Sequence, residues 1–288
     1  MSFPNHFKAQ QQTRHPGFEY EMQPLPIFDD KTTLPNGSLL QEQVAIITGG
    51  DSGIGRAVAV AYAKQGADVA IVYYNEDKDA EDTQKAVEAY GQSCLLIKGD
   101  LTEETFATDV VTKVMDTYKH IDILVNNAAV QYENSSLQAI TTEQFDKTFK
   151  TNVYGTFYMT KAVLPHLKSG ACIINTTSVV AFHGHEKLID YSMTKGAITA
   201  FTRSLSMALT KSKSGIRVNA VAPGPIWTPF IPSSFDVSSI PAFGTTTPLG
   251  RAGQPIECAG AYVFLASKAA SYITGQTIHI NGGEIING

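Results

Sequence analysis

The chain has 288 residues, enough for one large domain or two small ones at roughly 150 residues per domain, and its 43% hydrophobic content excludes a disordered or collagen-like polymer. With 22 basic and 27 acidic side chains the formal charge is −5, which offers no basic field to a phosphate backbone and excludes nucleic acid as a partner. No stretch reaches the length of a membrane-spanning helix, about 20 apolar residues, and the opening MSFPNHFKAQQQTRHPGFEYEMQPLP lacks the apolar core of a signal peptide, so a cytoplasmic protein without membrane contact is expected.

Charged residues make up only 17%, against about 25% in an average soluble domain, which points to surface covered by subunit contacts. Cys94, Cys172 and Cys258 are odd in number and widely spaced, and two lie in the apolar runs SCLLI and ACIIN. They read as reduced core residues rather than a disulfide or a metal set.

Taken in chain order, residues 1–40 are rich in Gln, Pro and Asn without a sustained period, and Pro16, Pro24, Pro26 and Pro35 interrupt any helix. An extended arm is expected there, lying across a neighbouring surface rather than forming its own domain. Residues 41–288 read as one domain. In it, apolar runs alternate with segments of helical period: VAIIT (44–48), DVAIVY (68–73), CLLIK (94–98), IDILV (121–125), CIINT (172–176), IRVNAV (216–221) and TIHI (277–280). Unbroken apolar runs imply strands covered on both faces, hence a seven-stranded parallel sheet between helix layers: an α/β, doubly wound Rossmann fold. Ligands on such a sheet bind beyond the carboxyl ends of the strands, so chemistry is sought just after each run.

After the first run comes Thr48-Gly49-Gly50-Asp51-Ser52-Gly53-Ile54-Gly55-Arg56, opening a helical pattern. Gly49 allows the tight turn, Gly53 a close backbone approach to a pyrophosphate, and Gly55 close packing of helix on strand, while the helix start offers free N–H groups to an anion. A glycine cluster alone is an ordinary turn; between a strand and a helix it reads as a nucleotide-binding turn. Arg56 is expected to face the pyrophosphate or solvent.

Ser178 follows the fifth run, and 13 residues later Tyr191-Ser192-Met193-Thr194-Lys195 opens a long helix. Residues i and i+4 share a helix face, so Tyr191 and Lys195 project to one side, and the lysine charge is expected to lower the phenol's pKa towards the range of a general acid/base. A YxxxK alone also describes a solvated polar pair; its occurrence with Ser178 and the glycine turn favours a site.

TGGDSGIG, NNAA at 126–129, Asn152 in TNVYG, Ser178, YSMTK and PGPIWTP together resemble the short-chain dehydrogenase/reductase family from about residue 42 to 288. The arm with HPGFEYEMQPLP is similar to the bacterial general stress protein type. The resemblance implies a catalytic set of Asn152, Ser178, Tyr191 and Lys195, with Tyr191 exchanging a proton with substrate, Ser178 holding the substrate oxygen, Lys195 also gripping ribose, and Asn152 supporting a water beside Lys195. It implies cofactor contacts at Gly49, Asp51, Ser52, Gly53, Ile54 and Gly55, at Tyr73, Tyr74 and Asn75, at Asp100 and Leu101 facing adenine, at Asn127, Ala128 and Ala129 by the ribose, and at Pro223, Gly224, Ile226 and Thr228 by the nicotinamide. Ala129 departs from the family's usual glycine. A homotetramer is implied, with contacts through helices near 154–168 and 190–211. The expected reaction is hydride transfer between NAD(P) and an alcohol or carbonyl compound; the rival is a non-catalytic nucleotide-binding redox sensor.

His183 and His185 are either substrate contacts or solvated loop residues, and Trp227 belongs either to a substrate lid over 227–250 or to loop packing. After the second run no Arg or Lys occurs until Lys78, while Asp51 and Glu76 would repel a 2′-phosphate. NAD(H) is therefore expected over NADP(H), by at least about tenfold in kcat/KM.

Overall fold

In a computed structural model of the chain the seven apolar runs form seven parallel strands, four with the expected bounds: β1 (Val44–Thr48), β2 (Asp68–Tyr73), β3 (Cys94–Lys98), β4 (Ile121–Asn126), β5 (Leu167–Thr176), β6 (Arg217–Pro223) and β7 (Thr277–Ile280). The structure describes residues 3–286, and residues 1, 2, 287 and 288, at the outer ends of the two expected segments, lie outside the described residues. Strand order is β3-β2-β1-β4-β5-β6-β7, so the direction of winding reverses between β1 and β4 and opens a crevice beyond their carboxyl ends.

The intervening segments are α1 (Gly53–Lys64), α2 (Asp77–Glu88), α3 (Glu104–Tyr118), α4 (Thr142–Phe149), α5 (Gly155–Val163), α6 (Val180–His183), α7 (Ile189–Lys211) and α8 (Pro255–Ala266). Two apolar layers bury the sheet. Ala57, Tyr62, Ile256 and Tyr262 of α1 and α8 cover one face, and Val110, Val114, Met159 and Leu209 of α3, α5 and α7 cover the other. Burial on both faces is why these strands read as unbroken apolar runs. The three cysteines are free and buried.

The arm packs along its own chain. Phe7 stacks on Trp227 with ring centroids 3.9 Å apart, and Trp227 Nε1 donates to the Pro24 carbonyl at 2.9 Å. Gln12 N donates to the Pro232 carbonyl, and Ile27 joins the start of α8 through its own N–H to Gln254 Oε1 and its carbonyl from Ile256 N. The reason is apolar: Phe7 and Met22 complete a buried cluster with Trp227, Ile231 and Ile240 that the loop after β6 cannot close alone. Trp227 is thus loop packing, fully buried under the arm, rather than part of a mobile lid.

Candidate active site

The glycine turn takes the form its composition demands. Gly49 and Gly53 hold left-handed φ of 62° and 52°, and a Cβ on Gly55 would run into the Gly49 carbonyl oxygen, so α1 packs directly on the turn. Asp51, Ser52, Gly53 and Ile54 border a cleft of about 990 Å³; Gly55 lies behind it. The N–H of Gly53 donates to Glu19 Oε2 of the arm at 2.5 Å. Arg56 turns away from both expected positions: it is buried, paired with Glu19 and, at 3.3 Å, with Asp79, and Nε donates to Thr83 Oγ1 at 2.7 Å.

At the end of β2, the Tyr73 hydroxyl donates to Asp77 at 3.0 Å, Tyr74 is exposed, and Tyr73, Tyr74 and Glu76 border the cleft, whereas Asn75 does not. The premise that no cation stands here is corrected by the arm. Arg14 Nη2 donates to Asn75 Oδ1 and, at 2.5 Å, to Glu76 Oε1. Asp51 is less of an anion than the sequence implies, because burial, and then the Glu76 charge, push its pKa up to about 7.

Asp100 and Leu101 border the cleft, with Asp100 Oδ1 accepting from Thr102 N at 2.9 Å to turn the loop after β3. Asn127, Ala128 and Ala129 border it too, and Asn127 Nδ2 donates to the Thr48 and Gly49 carbonyls at 3.2 and 3.1 Å, bracing β4 to the glycine turn. Pro223, Gly224, Ile226 and Thr228 close the opposite wall, Gly224 pinned by its N–H to the Ile280 carbonyl at 2.8 Å.

Ser178 beyond β5 and Tyr191 and Lys195 on α7 meet in the middle of this cleft. The Ser178 hydroxyl stands close enough to the Tyr191 phenol to pull its pKa down, and Lys195 Nζ, which donates to the Thr176 carbonyl at 2.8 Å, sits 5.5 Å from the centre of the Tyr191 ring. The expected lowering of the phenol is overturned in the protein alone. Burial pushes Tyr191 up against the pull of the Ser178 hydrogen bond, and burial lowers Lys195 to about 7.

Asn152 does not border the cleft. It lies in a π-helical turn, Lys150–Tyr154, between α4 and α5, and both its amide protons are used, donating to the Val130 carbonyl at 2.9 Å and Thr194 Oγ1 at 3.0 Å. Its Oδ1 accepts from Val130 N at 2.8 Å. Rather than presenting its amide protons to a water, the side chain ties the loop after β4 to α7, because the wide turn swings it into the interior.

Sequence reasoning missed the arm's share of the site: His15, Pro16 and Gly17 border the cleft. His15 Nδ1 lies 2.8 Å from Ser233 Oγ, and Nε2 accepts from Gln131 N at 3.3 Å, while burial, then the charges of Lys147 and Arg14, lower its pKa to about 4. A histidine in an aperiodic proline-rich arm carries no local signal of this. His183 and His185 border the cleft as well, His183 Nε2 lying 3.3 Å from Glu284 Oε1.

The cleft suits a dinucleotide: a glycine-lined turn at a helix start, a switch-point crevice, and a buried ammonium with a single carbonyl partner. A doubly wound sheet bearing Ser, Tyr and Lys at such a crevice is the architecture of a nicotinamide-dependent oxidoreductase, and the chain belongs to the short-chain dehydrogenase/reductase family. The family described as enoyl-(acyl carrier protein) reductase matches residues 49–284. General stress protein 39 of Bacillus subtilis is 53% identical, covering 99% of each chain, and the glucose and ribitol dehydrogenase of Daucus carota is 46% identical over 100% of each. Among solved structures, a short-chain dehydrogenase from Burkholderia cenocepacia in complex with NADP is 30% identical with a TM-score of 0.80, covering 85% of this chain and 99% of that one. A 3-ketoacyl-(acyl-carrier-protein) reductase from Brucella melitensis complexed with NADH is 31% identical with a TM-score of 0.78, covering 86% and 100%.

Proposed function

We propose that the protein transfers hydride between NAD(P)(H) and an alcohol or carbonyl substrate, with Tyr191 as general acid/base. The observation that carries this is the meeting of Tyr191, Ser178 and Lys195 in one cleft. The nicotinamide ring, when bound, donates or accepts the hydride. In carbonyl reduction Tyr191 gives its proton to the substrate oxygen, which Ser178 steadies by a hydrogen bond. The charge left on the phenolate is met by the Lys195 ammonium, which that negative charge favours against the lowering by burial. Asn152 acts indirectly by holding α7. The rival reading as a sensor has no support in the cleft, where all three polar groups face the same space.

Gly49, Asp51, Ser52, Gly53 and Ile54 would cradle the pyrophosphate, Asp100, Leu101 and Asn127 the adenosine, and Pro223 to Thr228 the nicotinamide. The choice of dinucleotide rests on Glu76, which favours a ribose hydroxyl, against Arg14, which offsets it. The glucose and ribitol dehydrogenase of Daucus carota makes aldoses and polyols the first substrates to try. Residues 3–40 act as an integral wall of the site rather than an appendage. Assembly as a homotetramer is supported by Tyr154, Phe157, Met193 and Met207, which are exposed on and beside α5 and α7. A cytoplasmic location agrees with three free, buried cysteines, and no helix among the described residues is long and apolar enough to cross a membrane.

The test is turnover of a panel of polyols, aldoses and aldehydes with both dinucleotides, for the native protein and Tyr191→Phe. Loss of at least about 10²-fold in kcat with little change in dinucleotide affinity is expected; retention of more than roughly a tenth of kcat would remove Tyr191 from its role.

A further inference from the structure

We propose that Arg14, carried in by the N-terminal arm, reads the adenosine 2′ position and lets the site accept a 2′-phosphate. The inference rests on the reading of the cleft as a dinucleotide site. In a doubly wound sheet the adenosine ribose meets residues about 20 positions beyond the glycine turn, at the end of the second strand. Here those are Tyr73 and the residues just after it; Lys98 is tied to Asp77 at 2.7 Å, and among the described residues the basic side chain hydrogen-bonded to Asn75 and Glu76 comes from 61 and 62 residues upstream.

Three features fit Arg14 to an anion. Its hydrogen bonds all run through Nη2, which leaves Nη1 and Nε of the guanidinium fork without partners among the described residues, and its side chain is 28% exposed beside a carboxylate that is 2% exposed and borders the cleft. The group is held in place by the Phe18 ring, 3.9 Å from the guanidinium carbon to the centroid. The backbone behind it is anchored, since the adjoining His15 is tied to Ser233 and Gln131 across the cleft. Lys78 does not compete for the role, because its ammonium lies over the Tyr20 ring at 3.7 Å.

Glu76 is then the competitor. With a plain ribose, the Arg14–Glu76 pair stays closed and the carboxylate is available to a 2′-hydroxyl. With a 2′-phosphate, Arg14 exchanges Glu76 for the phosphate oxygens, to which a fork of parallel N–H groups is matched.

Calorimetric titration of the full chain with adenosine 2′,5′-bisphosphate and with 5′-AMP tests this without any turnover. Arg14→Ala is expected to lower the affinity ratio of the bisphosphate to AMP by at least about tenfold, as for one hydrogen bond to a charged group. Glu76→Gln, which frees Arg14, is expected to raise the same ratio severalfold. Should Arg14→Ala fail to fold by its melting curve, Glu76→Gln alone decides. An unmoved ratio in Arg14→Ala, or a lowered ratio in Glu76→Gln, overturns the assignment while leaving the dinucleotide site intact. Failure of both ligands to bind the native protein overturns the site itself, and Arg14's role with it.

Discussion

Replacing Phe7 with alanine should release the leading part of the arm, and the protein carries its own reporter for the event. Phe7 is 1% exposed and lies nearly parallel to Trp227, with 12° between ring planes. Trp227 is the sole tryptophan of the chain. Burial of a phenylalanine side chain is worth about 1.5–3 kcal/mol and an aromatic pair adds about 0.5–1.5 kcal/mol, so truncation costs about 2–4.5 kcal/mol. That loss falls on arm docking rather than on the sheet, because no strand depends on Phe7 and the later anchors, Glu19 at Gly53 and Ile27 at α8, remain. Tryptophan emission of Phe7→Ala should therefore shift to the red and become accessible to a soluble quencher, and trypsin should cut at Lys8 sooner than in the native chain. A variant with unshifted emission and native protease resistance would show that Phe7 does not hold the arm over Trp227.

The docking of the arm should also depend on pH through His15. Its pKa is lowered from 6.5 to about 4 on folding, so the unfolded or undocked state binds the proton more readily; the contribution is fully present above pH 6.5 and is lost as pH falls through about 4. The difference in Trp227 emission between native protein and His15→Gln, followed from pH 7 to 4, reads this, and parallel curves would contradict it. Gly55→Ala should cost about 1–3 kcal/mol in thermal stability and abolish dinucleotide binding, as the new methyl meets the Gly49 carbonyl; a variant that binds normally would refute the packing argument. Light scattering of the native protein is expected to give four times the monomer mass, and charged substitutions at Phe157 and Met193 should reduce it; a monomeric native protein would reject the assembly.

The sheet and half of the site were legible in the residues because they depend on neighbours in sequence. Four strands keep the bounds that their apolar runs imply, and the pairing of Tyr191 with Lys195 needs only one turn of helix. The glycine turn is equally local, since the positive φ at Gly49 and Gly53 answers to the absence of a side chain at those positions. What the tertiary structure alone decided is everything that crosses the chain. Arg14 meets Glu76 over 62 residues, Trp227 meets Pro24 over 203 and His15 meets Ser233 over 218, and no period or spacing in an aperiodic, proline-rich arm encodes such partners. The same holds for charge. Lysine beside tyrosine suggests a lowered phenol, but both groups are buried, and in the interior the cost of desolvation outweighs the attraction that the sequence spacing implies.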